Sequence, residues 1–383
     1  MSIREYILKH DDTNVIVFNI NTDYYNVIKL EILDAEFSPI NNMVDNITQI
    51  ALFSGWLADR CIPNSREGAE RLKNKYNIQD IKQLMILMHG LSLSDHYWID
   101  RQPYNNKWKN INLYENRYDK TVGDILFDKH FKLIKDIQNY GDRSPDITTI
   151  GTLKKIWYFN EDDKTSYLVK GGSKFDFQEP FNEHYAHLLL NELNFKHTPY
   201  KLENINNEYY SVCPCISDMD NEMVSAIDII RKFNITKDYN GFVSMGQKKG
   251  CIGFEHEVNK MIILDYFIDN IDRHWYNFGI MRDTKTGSWN GLIPVYDNGY
   301  SLWNKDYINS KIISENMSFA DSNEECMKYV NIGNYLTKIP DMVSLFDQAF
   351  EKYENKARKE ELRNGIKEKM ILMERFVESN IKN

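Results

Sequence analysis

Hydrophobic and polar positions alternate near the N-terminus and then change to a helical spacing. The segments VIVFNI (15–20) and VIKLEIL (27–33) are rich in β-branched residues and partly alternate, which predicts two strands. Three helices are then expected over NITQIALFSGWLADR, SREGAERLKNKYN and IKQLMILMHGLSL, the second of them capped by Ser65. Residues 95–142 are polar and aromatic with little periodicity, which predicts a loop with short helices.

A second change of period follows this region. GTLKKIWYFNEDDKTSYLVKGG predicts two strands joined by a turn at 160–163, QEPFNEHYAHLLLNEL predicts a helix, and YKLEN and EYYSVCPC predict two strands. After Asp218 the pattern is mainly helical, IPVY (293–296) predicts a short strand, and residues 341–381 predict two charged amphipathic helices. This is the element order of a two-lobed nucleotide-dependent kinase that follows an extra module, with a boundary expected at 135–145.

The composition is that of a globular chain long enough for about two or three domains. The 383 residues carry a formal net charge of -9, which argues against a basic surface that could bind the phosphate backbone of a nucleic acid. Direct nucleic-acid binding is therefore not expected. The five cysteines are odd in number and lack zinc-ligand spacing, which indicates reduced thiols. The chain shows no apolar signal core and no run near the roughly 18 apolar residues of a membrane span, so we expect a cytoplasmic protein.

A polar stretch, IDNIDRHWYNFGI (268–280), lies between two apolar segments and carries candidate chemistry. Asp272 and Asn277 have the Asp-x-x-x-x-Asn spacing with which one loop presents a base and a metal ligand for phosphoryl transfer. Asp297, in VYDNG, precedes the flexible Gly299 and would supply a second oxygen ligand for Mg²⁺. Each signal alone is weak, because the spacing arises by chance and Asp-Asn-Gly is also a good turn. Their order along the chain is what favours a kinase.

Two further positions complete the parts that ATP chemistry requires. Lys170 ends the strand SYLVK, where a lysine can neutralise the α- and β-phosphates, and Glu183 on the next helix can hold it. A lysine at a strand end is more often an exposed edge charge, and Glu179 competes with Glu183 as its partner. His184 and His187 share a helical face, but no third ligand is evident, so packing or a surface position is favoured over a metal site.

The motifs resemble those of a known family. IDRHWYNFGI followed by PVYDNG is similar to the catalytic and metal-binding motifs of HipA-like serine/threonine kinases, and more distantly to the catalytic loop of phosphatidylinositol 3- and 4-kinases. FSGWLADR with Arg66, and then MHGLS, resembles the N-terminal subdomain of HipA-like proteins, although Ala58 replaces the usual proline. The resemblance implies an α+β, two-lobed protein-kinase-like fold. The implied fold divides into an N-terminal α/β accessory subdomain (1–140), a β-containing small lobe with the hinge (141–216) and a helical large lobe (217–383).

The resemblance also implies roles for individual residues. HipA-like proteins are bacterial kinases that use ATP and Mg²⁺, and are often the toxin of a toxin–antitoxin pair. In that family Asp272 would be the catalytic base, Asn277 and Asp297 the Mg²⁺ ligands, and Lys170 the lysine on the ATP phosphates. His274 matches the histidine of the family's loop, which supports the base or the transferring phosphate, and a hydrogen-bonded core histidine is the equal alternative.

The stretch SPDITTIGTLKK (144–155) resembles the family's phosphate loop. Thr148 and Thr149 precede Gly151, around which backbone N–H groups can cradle phosphates. Relatives carry a serine in this loop that is autophosphorylated and ejects the loop. The resemblance therefore implies Thr148 and Thr149 as candidates for autophosphorylation.

The remaining candidate contacts concern ATP. Lys154 or Lys155 either assists in phosphate binding or is a surface charge. The stretch YYSVCPC would be the hinge between the lobes, where backbone groups bind adenine. We expect the hinge contacts at Val212, Cys213 and Cys215.

The sequence thus predicts an ATP- and Mg²⁺-dependent kinase that phosphorylates a Ser/Thr hydroxyl on a protein. The family resemblance adds a helix-turn-helix antitoxin as a partner. The first rival is a small-molecule or lipid kinase with the same loop, although a lipid substrate favours a basic or apolar membrane-facing patch, which this acidic chain does not advertise. The second rival is an ATP-binding pseudokinase or interaction module, and the intact set of candidate residues counts against it.

Overall fold

The fold mixes helices with several short antiparallel strands. It is taken from a computed structural model that describes residues 3–127, 143–173, 176–304 and 318–381. The strands are β1 (Ile3–His10), β2 (Thr13–Asn21), β3 (Asn26–Ile32), β4 (Tyr97–Arg101), β5 (Lys155–Asn160), β6 (Thr165–Lys170), β7 (Lys201–Ile205), β8 (Glu208–Pro214), β9 (Asn221–Ser225), β10 (Gly279–Asp283) and β11 (Trp289–Leu292). The helices are α1 (Asn46–Asp59), α2 (Ala69–Tyr76), α3 (Ile81–Leu87), α4 (Trp108–Ile111), α5 (Thr121–Phe127), α6 (Glu179–Glu192), α7 (Ala226–Phe233), α8 (Tyr239–Lys248), α9 (Phe254–Ile268), α10 (Asn323–Cys326), α11 (Met342–Ala349) and α12 (Lys356–Ile381).

The first sheet has the order β3-β2-β1-β4 and lies in the N-terminal region. Strands β2 and β3 confirm the prediction from alternation, whereas β1 and β4 were not predicted. Strand β1 buries two ionisable residues, because Lys9 contacts Asp100 at 2.7 Å and His10 contacts Glu222 at 2.7 Å. Because these polar side chains are buried beside distant partners, the strand lacks the apolar alternation from which a strand is predicted.

Helices α1, α2, α3 and α5 contribute to the apolar core that covers this sheet. Helix α1 begins after Asp45, whose side chain accepts a hydrogen bond from the N–H of Thr48 at 3.1 Å. The predicted cap at Ser65 is wrong, because α2 begins after Gly68, which has φ of +91°. The turn that precedes α2 carries the side chain of Arg66 into the interior of the protein.

The second sheet has the order β5-β6-β8-β7 and confirms all four strands predicted for it. Its register places Lys155 opposite Lys170, and Lys170 opposite Ser211. Because directly opposed residues of an antiparallel pair share one face, these three side chains lie on the same side of the sheet. Helix α6 packs beside this sheet and carries Glu183.

The third sheet has the order β11-β10-β9 and was not predicted. Its strands are four or five residues long, and β10 contains Arg282, whose guanidinium lies buried against Glu222 at 2.7 Å. The strand predicted at IPVY (293–296) is wrong, because β11 ends at Leu292 and Val295 forms a single bridge with His197. The helical prediction after Asp218 is confirmed by α7, α8 and α9, and the two C-terminal helices by α11 and α12.

A second and larger apolar core is shared by helices α6, α8, α9, α11 and α12. A smaller aromatic cluster, which includes Trp98, Trp108 and Trp157, joins the first sheet to β5. The mixed α/β character expected from the pattern is confirmed, whereas the boundary expected at residue 140 lies outside the described residues. Within the described ranges, no helix is both long enough and apolar enough to cross a membrane.

Candidate active site

A cavity of about 730 Å³ lies between the N-terminal helices, the second sheet and the polar loop that follows α9. Most of the positions singled out in the sequence line it, although they come from segments far apart in the chain. These lining positions are Thr148, Thr149, Gly151, Lys170, Glu183, Cys213, Asp272, His274, Asn277 and Asp297. The fold thus brings together the candidate phosphate loop, lysine, catalytic loop and metal ligands.

Two of the three expected hinge contacts lie elsewhere. Val212 is buried in the apolar cluster on the other face of the second sheet, because neighbouring residues of a strand point to opposite faces. Cys215 does not line the cavity, and its thiol donates a hydrogen bond to the carbonyl oxygen of Leu93, between α3 and β4, at 3.2 Å. Of the expected hinge positions only Cys213 lines the cavity, and the neighbouring Pro214 lines it as well.

Lys170 is not an exposed edge charge but the centre of a buried ion-pair network. Its amine contacts carboxylate oxygens of both Glu183 and Asp297, and Lys170 and Glu183 are 5% and 1% exposed. Burial opposes the charge on the amine, but Asp297 and Glu183 raise the pKa of Lys170 well above its usual value. Glu179, the alternative partner, instead accepts a hydrogen bond from the N–H of Ser173 at 3.0 Å.

Asp297 lies in a tight turn whose backbone is held on both sides. Its φ of +56° is left-handed, and its N–H donates to the hydroxyl of Tyr200 at 3.2 Å. The next N–H, that of Asn298, donates to the second carboxylate oxygen of Glu183 at 2.9 Å. Burial opposes ionisation of Asp297, but Lys170 and Lys155 hold its pKa well below the usual range. The side chain is therefore a carboxylate, the form that a divalent cation requires.

The candidate catalytic loop is closed by hydrogen bonds that orient its side chains. The amide nitrogen of Asn277 donates to the carbonyl oxygen of Asp272 at 2.8 Å, which leaves the amide oxygen of Asn277 for another partner. Burial raises the pKa of Asp272, while His274 opposes the rise and Asp297 adds to it. The N–H of Tyr276 donates to Nδ1 of His274 at 3.3 Å. The proton of a neutral His274 is therefore on Nε2, which lies 3.8 Å from Asp272.

His274 does not fit the alternative of a core histidine. A third of its side chain, 33%, is exposed, and it lines the same cavity as Asp272. Its Nδ1 accepts a bond from the backbone N–H of Tyr276, and its Nε2 faces Asp272. The side chain is thus available to a ligand of the cavity.

Arg273 organises this region, although the sequence analysis gave it no role. It is 1% exposed and pairs with Asp265 at 3.0 Å. It also donates to the carbonyl oxygens of Asn277 at 3.1 Å and Tyr296 at 2.6 Å, and to the side-chain oxygen of Asn298 at 2.6 Å. One buried guanidinium therefore ties the catalytic loop to the turn that carries Asp297. The signal for it was a cation beside Asp272 between two apolar segments.

The predicted phosphate loop has the conformation and the charge that suit an anion. Gly151 has φ of +109°, and a Cβ atom there would lie 2.6 Å from the amine of Lys155. Lys155 is buried, and its amine donates to the carbonyl oxygen of Ile150 at 3.0 Å. Burial lowers the pKa of Lys155, and Asp297 opposes this effect. Of the two lysines left open above, Lys155 lines the cavity, whereas Lys154 is half-buried beside it.

The two threonine hydroxyls of the loop are both engaged. Thr148 donates to the carbonyl oxygens of Leu91 at 2.8 Å and Pro145 at 3.1 Å. Thr149 donates to Pro145 at 2.8 Å and accepts a bond from the indole N–H of Trp157 at 2.8 Å. Phosphorylation of either hydroxyl would therefore require the loop to leave this arrangement.

The histidines and cysteines of the described part of the chain bear on metal and redox chemistry. Among its residues, no group of three or more His, Cys, Asp or Glu could hold a metal ion, and all five cysteines are free. His187 contacts a third histidine, His197, at 2.8 Å, and His184 contacts the carbonyl oxygen of Tyr200 at 3.2 Å. The packing interpretation of His184 and His187 stays a prediction.

Comparisons with known proteins concern the fold. No protein-family model and no curated protein matches the sequence. The structure is similar to the kinase CtkA of Helicobacter pylori, described as proinflammatory, with a TM-score of 0.46 and 17% identity over 60% of this chain and 94% of that one. It is also similar to HipA of the Shewanella oneidensis MR-1 toxin–antitoxin system, solved with HipB and its operator DNA. That match has a TM-score of 0.57 and 9% identity and covers 96% of each chain. Because it spans nearly the whole chain, the protein has the HipA-like fold that its motifs predict.

Proposed function

We propose that the protein is an ATP- and Mg²⁺-dependent protein kinase of the HipA-like type. The two-lobed arrangement and the boundaries near residues 140 and 216 are part of this proposal. The observation that carries it is the buried Lys170, which contacts Glu183 and Asp297 in the cavity that Asp272 and Asn277 also line. Phosphoryl transfer needs a cation on the phosphates, oxygen ligands for a metal and an acceptor for a proton, and this cavity has a residue for each.

The residues of the cavity fit a nucleoside triphosphate. Lys155 and Lys170 place two buried amines on one face of the second sheet, where they can neutralise phosphate oxygens. Gly151 leaves space beside Lys155 that any side chain would fill, so a phosphate can approach the backbone there. Cys213 and Pro214 also line the cavity and would contact the adenine ring of ATP.

The metal ligands would be Asn277 and Asp297. Both offer oxygen atoms, the donors that Mg²⁺ prefers, and Asp297 stays ionised beside Lys170 and Lys155. When bound there, Mg²⁺ would supply positive charge that offsets the negative charge developing on the phosphate oxygens during transfer. Arg273 would keep the two ligands in register, because it bonds to the backbone of Asn277 and to the side chain of Asn298.

Asp272 would accept the proton of the attacking Ser or Thr hydroxyl. Its carboxylate is partly exposed in the cavity, and burial raises its pKa, which favours proton acceptance relative to an ordinary aspartate. His274 presents an Nε2 proton on the same side and would donate it to Asp272 or to a phosphate oxygen. Autophosphorylation at Thr148 or Thr149 belongs to the same proposal and requires the loop to open.

The test is phosphate transfer from γ-labelled ATP with Mg²⁺, compared among wild type, Asp272→Asn and Asp297→Asn. We expect label in the wild type alone, and Mg²⁺-dependent ATP binding in wild type and Asp272→Asn. Asp162→Asn, in the exposed β5–β6 turn, is the matched control and should transfer phosphate normally. Mass spectrometry then locates any label on Thr148 or Thr149. ATP binding that is indifferent to Mg²⁺, without transfer to itself or to offered proteins, would support a pseudokinase instead.

A small-molecule kinase is the second candidate, and the shape of the cavity favours it specifically. Trp56, Asp59 and Arg60 line the same cavity as Asp272, so the N-terminal helices would narrow the approach of an acceptor to the catalytic base. A compact acceptor would meet this restriction more easily than a folded protein surface. Offering the enzyme free hydroxylated metabolites beside a protein mixture, with labelled ATP, decides between the two substrate classes.

A DNA-binding antitoxin is the partner we propose. HipA of Shewanella oneidensis was solved with HipB and operator DNA, and this chain shares its fold. The net charge of -9 makes direct DNA contact by this chain unfavourable, so a basic partner would supply it. Co-purification with the product of an adjacent gene, followed by a DNA-binding assay with and without that product, tests the proposal.

A further inference from the structure

A short segment of the N-terminal region, residues 59–66, forms part of the cavity wall, and we call it the brace segment. It joins helices α1 and α2, and two of its side chains contact two different loops of the cavity. We propose that the brace segment positions the phosphate loop through Arg66 and the catalytic loop through Asp59. This inference rests on the proposed kinase function for its kinetic consequences, but not for its structural ones.

Arg66 holds the phosphate loop on both sides of Gly151. Its guanidinium donates to the carbonyl oxygen of Thr149 and, at 2.9 Å, to that of Lys155. Arg66 is 3% exposed, and burial lowers its pKa only to about 10, so it remains a cation at neutral pH. A third bond, from the N–H of Ile62 to the carbonyl oxygen of Ile147 at 3.1 Å, joins the same two segments. Charge-assisted bonds to two carbonyls fix the position of a loop better than one neutral bond does.

Asp59 holds the catalytic loop through a side chain next to a metal-ligand candidate. The hydroxyl of Tyr276 donates to Asp59 at 2.9 Å, and Arg231 bonds to Asp59 at 2.5 Å and to the Tyr276 hydroxyl at 3.1 Å. Tyr276 directly precedes Asn277. Its carbonyl oxygen also accepts a bond from the hydroxyl of Tyr296 at 2.9 Å. Through its bond from Tyr276, Asp59 therefore holds the end of the catalytic loop that carries Asn277.

These contacts predict separate effects for the two ends of the brace segment. Loss of the Arg66 bonds displaces the backbone around Gly151, so nucleotide binding weakens while the base stays in place. Loss of the Asp59 bond displaces the catalytic loop, so the chemical step slows while nucleotide binding is retained. A displacement of about 1 Å can cost roughly a hundredfold in rate, so effects of ten- to a hundredfold are expected for each. Both residues are positioning residues, because each acts through another group.

The experiment compares hydrogen exchange and kinetics of the full chain for Arg66→Gln and Asp59→Ala. We expect Arg66→Gln to speed exchange at residues 148–155 but not at 272–277, and to raise KM for ATP. We expect Asp59→Ala to speed exchange at 272–277 but not at 148–155, and to lower kcat. Tyr276→Phe should reproduce the Asp59→Ala effect, and the double variant should be no worse than either single one.

Two control variants alter the same helices away from the loops. Asp45→Asn keeps a good cap on α1, and Arg71→Gln removes an exposed bond from α2 to the carbonyl oxygen of Ile125. Both should exchange and react as the wild type does. Faster exchange at both loops in both test variants would mean general destabilisation and would overturn the proposal, as would unchanged exchange at either target loop. Exchange is read without substrate, so an inactive wild type would refute the kinase function while the brace is still decided.

Discussion

Replacing Lys170 by methionine separates the structural role of the central ion pair from its chemical role. Methionine fills a similar volume but removes the charge that Glu183 and Asp297 both contact. Removing one partner of a buried ion pair costs about 3–5 kcal/mol, because the remaining charge is uncompensated. We expect Lys170→Met to lose about 3 kcal/mol of unfolding free energy, the lower end of this range, because both remaining carboxylates keep some compensation. Glu183 keeps its 2.9 Å bond from Asn298, and Asp297 has 27% of its side chain exposed to solvent.

The loss of stability in Lys170→Met should depend on pH in a defined direction. Burial raises the pKa of Glu183 above its usual 4.5, and Lys170 opposes this rise. Without Lys170 the pKa of Glu183 rises further, so the folded variant holds a proton that the unfolded chain has already released. The free energy of unfolding of the variant therefore falls as pH rises through this window, and it recovers toward lower pH.

Urea unfolding followed by circular dichroism, at about pH 5 and about pH 8, measures this effect. The double variant Lys170→Met/Glu183→Gln should regain most of the lost stability, since a neutral glutamine can keep the bond from Asn298. Both variants should still bind ATP weakly and transfer no phosphate. Lys154→Met removes a half-buried lysine outside the cavity lining and should change neither property. Wild-type stability of Lys170→Met at both pH values would refute the buried pair, and retained transfer would refute the phosphate-binding role.

Three other predictions concern the phosphate loop. Burial raises the pKa of Asp146 to about 7, so the folded protein should lose stability as pH rises from about 4 to about 7. Asp146→Asn should flatten this part of the plot of unfolding free energy against pH, by at most about 4 kcal/mol. An unchanged plot from urea unfolding would contradict the raised pKa of Asp146. Lys155→Met should weaken ATP binding at least about tenfold by calorimetry without loss of stability, because burial already disfavours its charge. Gly151→Ala should cost about 1–3 kcal/mol and weaken ATP binding, because alanine at φ of +109° is strained and its Cβ meets Lys155; wild-type melting and binding would exclude this geometry.

The local pattern of the sequence was enough to place the elements whose apolar residues follow one period. The β5–β6 hairpin, helix α6 and the terminal helices α11 and α12 appear where alternation or helical spacing predicts them. The polar stretch between two apolar segments likewise identified Asp272 and Asn277, because buried polar groups need a reason to be there. The resemblance of these motifs to those of HipA-like kinases implied the fold, and the structural comparison confirms it.

Tertiary structure alone decided which charges are buried. Strand β1 was missed because Lys9 and His10 lie inside the protein, and His10 contacts Glu222, 212 positions away in the chain. Lys170 was equally compatible with an exposed strand end until Glu183 and Asp297 enclosed it. A charge enters the interior only when a partner compensates the loss of hydration, and that partner is chosen by the fold and not by neighbours in the sequence.

The same reason explains the corrections in and around the site. Serine is a preferred cap residue, so Ser65 was predicted to begin the helix. The side chain of Arg66 instead bonds to the carbonyls of the phosphate loop, and α2 begins after Gly68. Strand alternation turns the side chain of Val212 away from the cavity, whereas Cys213 lines it, and the expected backbone contacts to adenine stay a prediction. The order of the residues specifies which chemical groups the protein has and roughly which elements carry them. Only the folded chain specifies which of those groups face one another, because hydration, burial and ion pairing depend on distance in space.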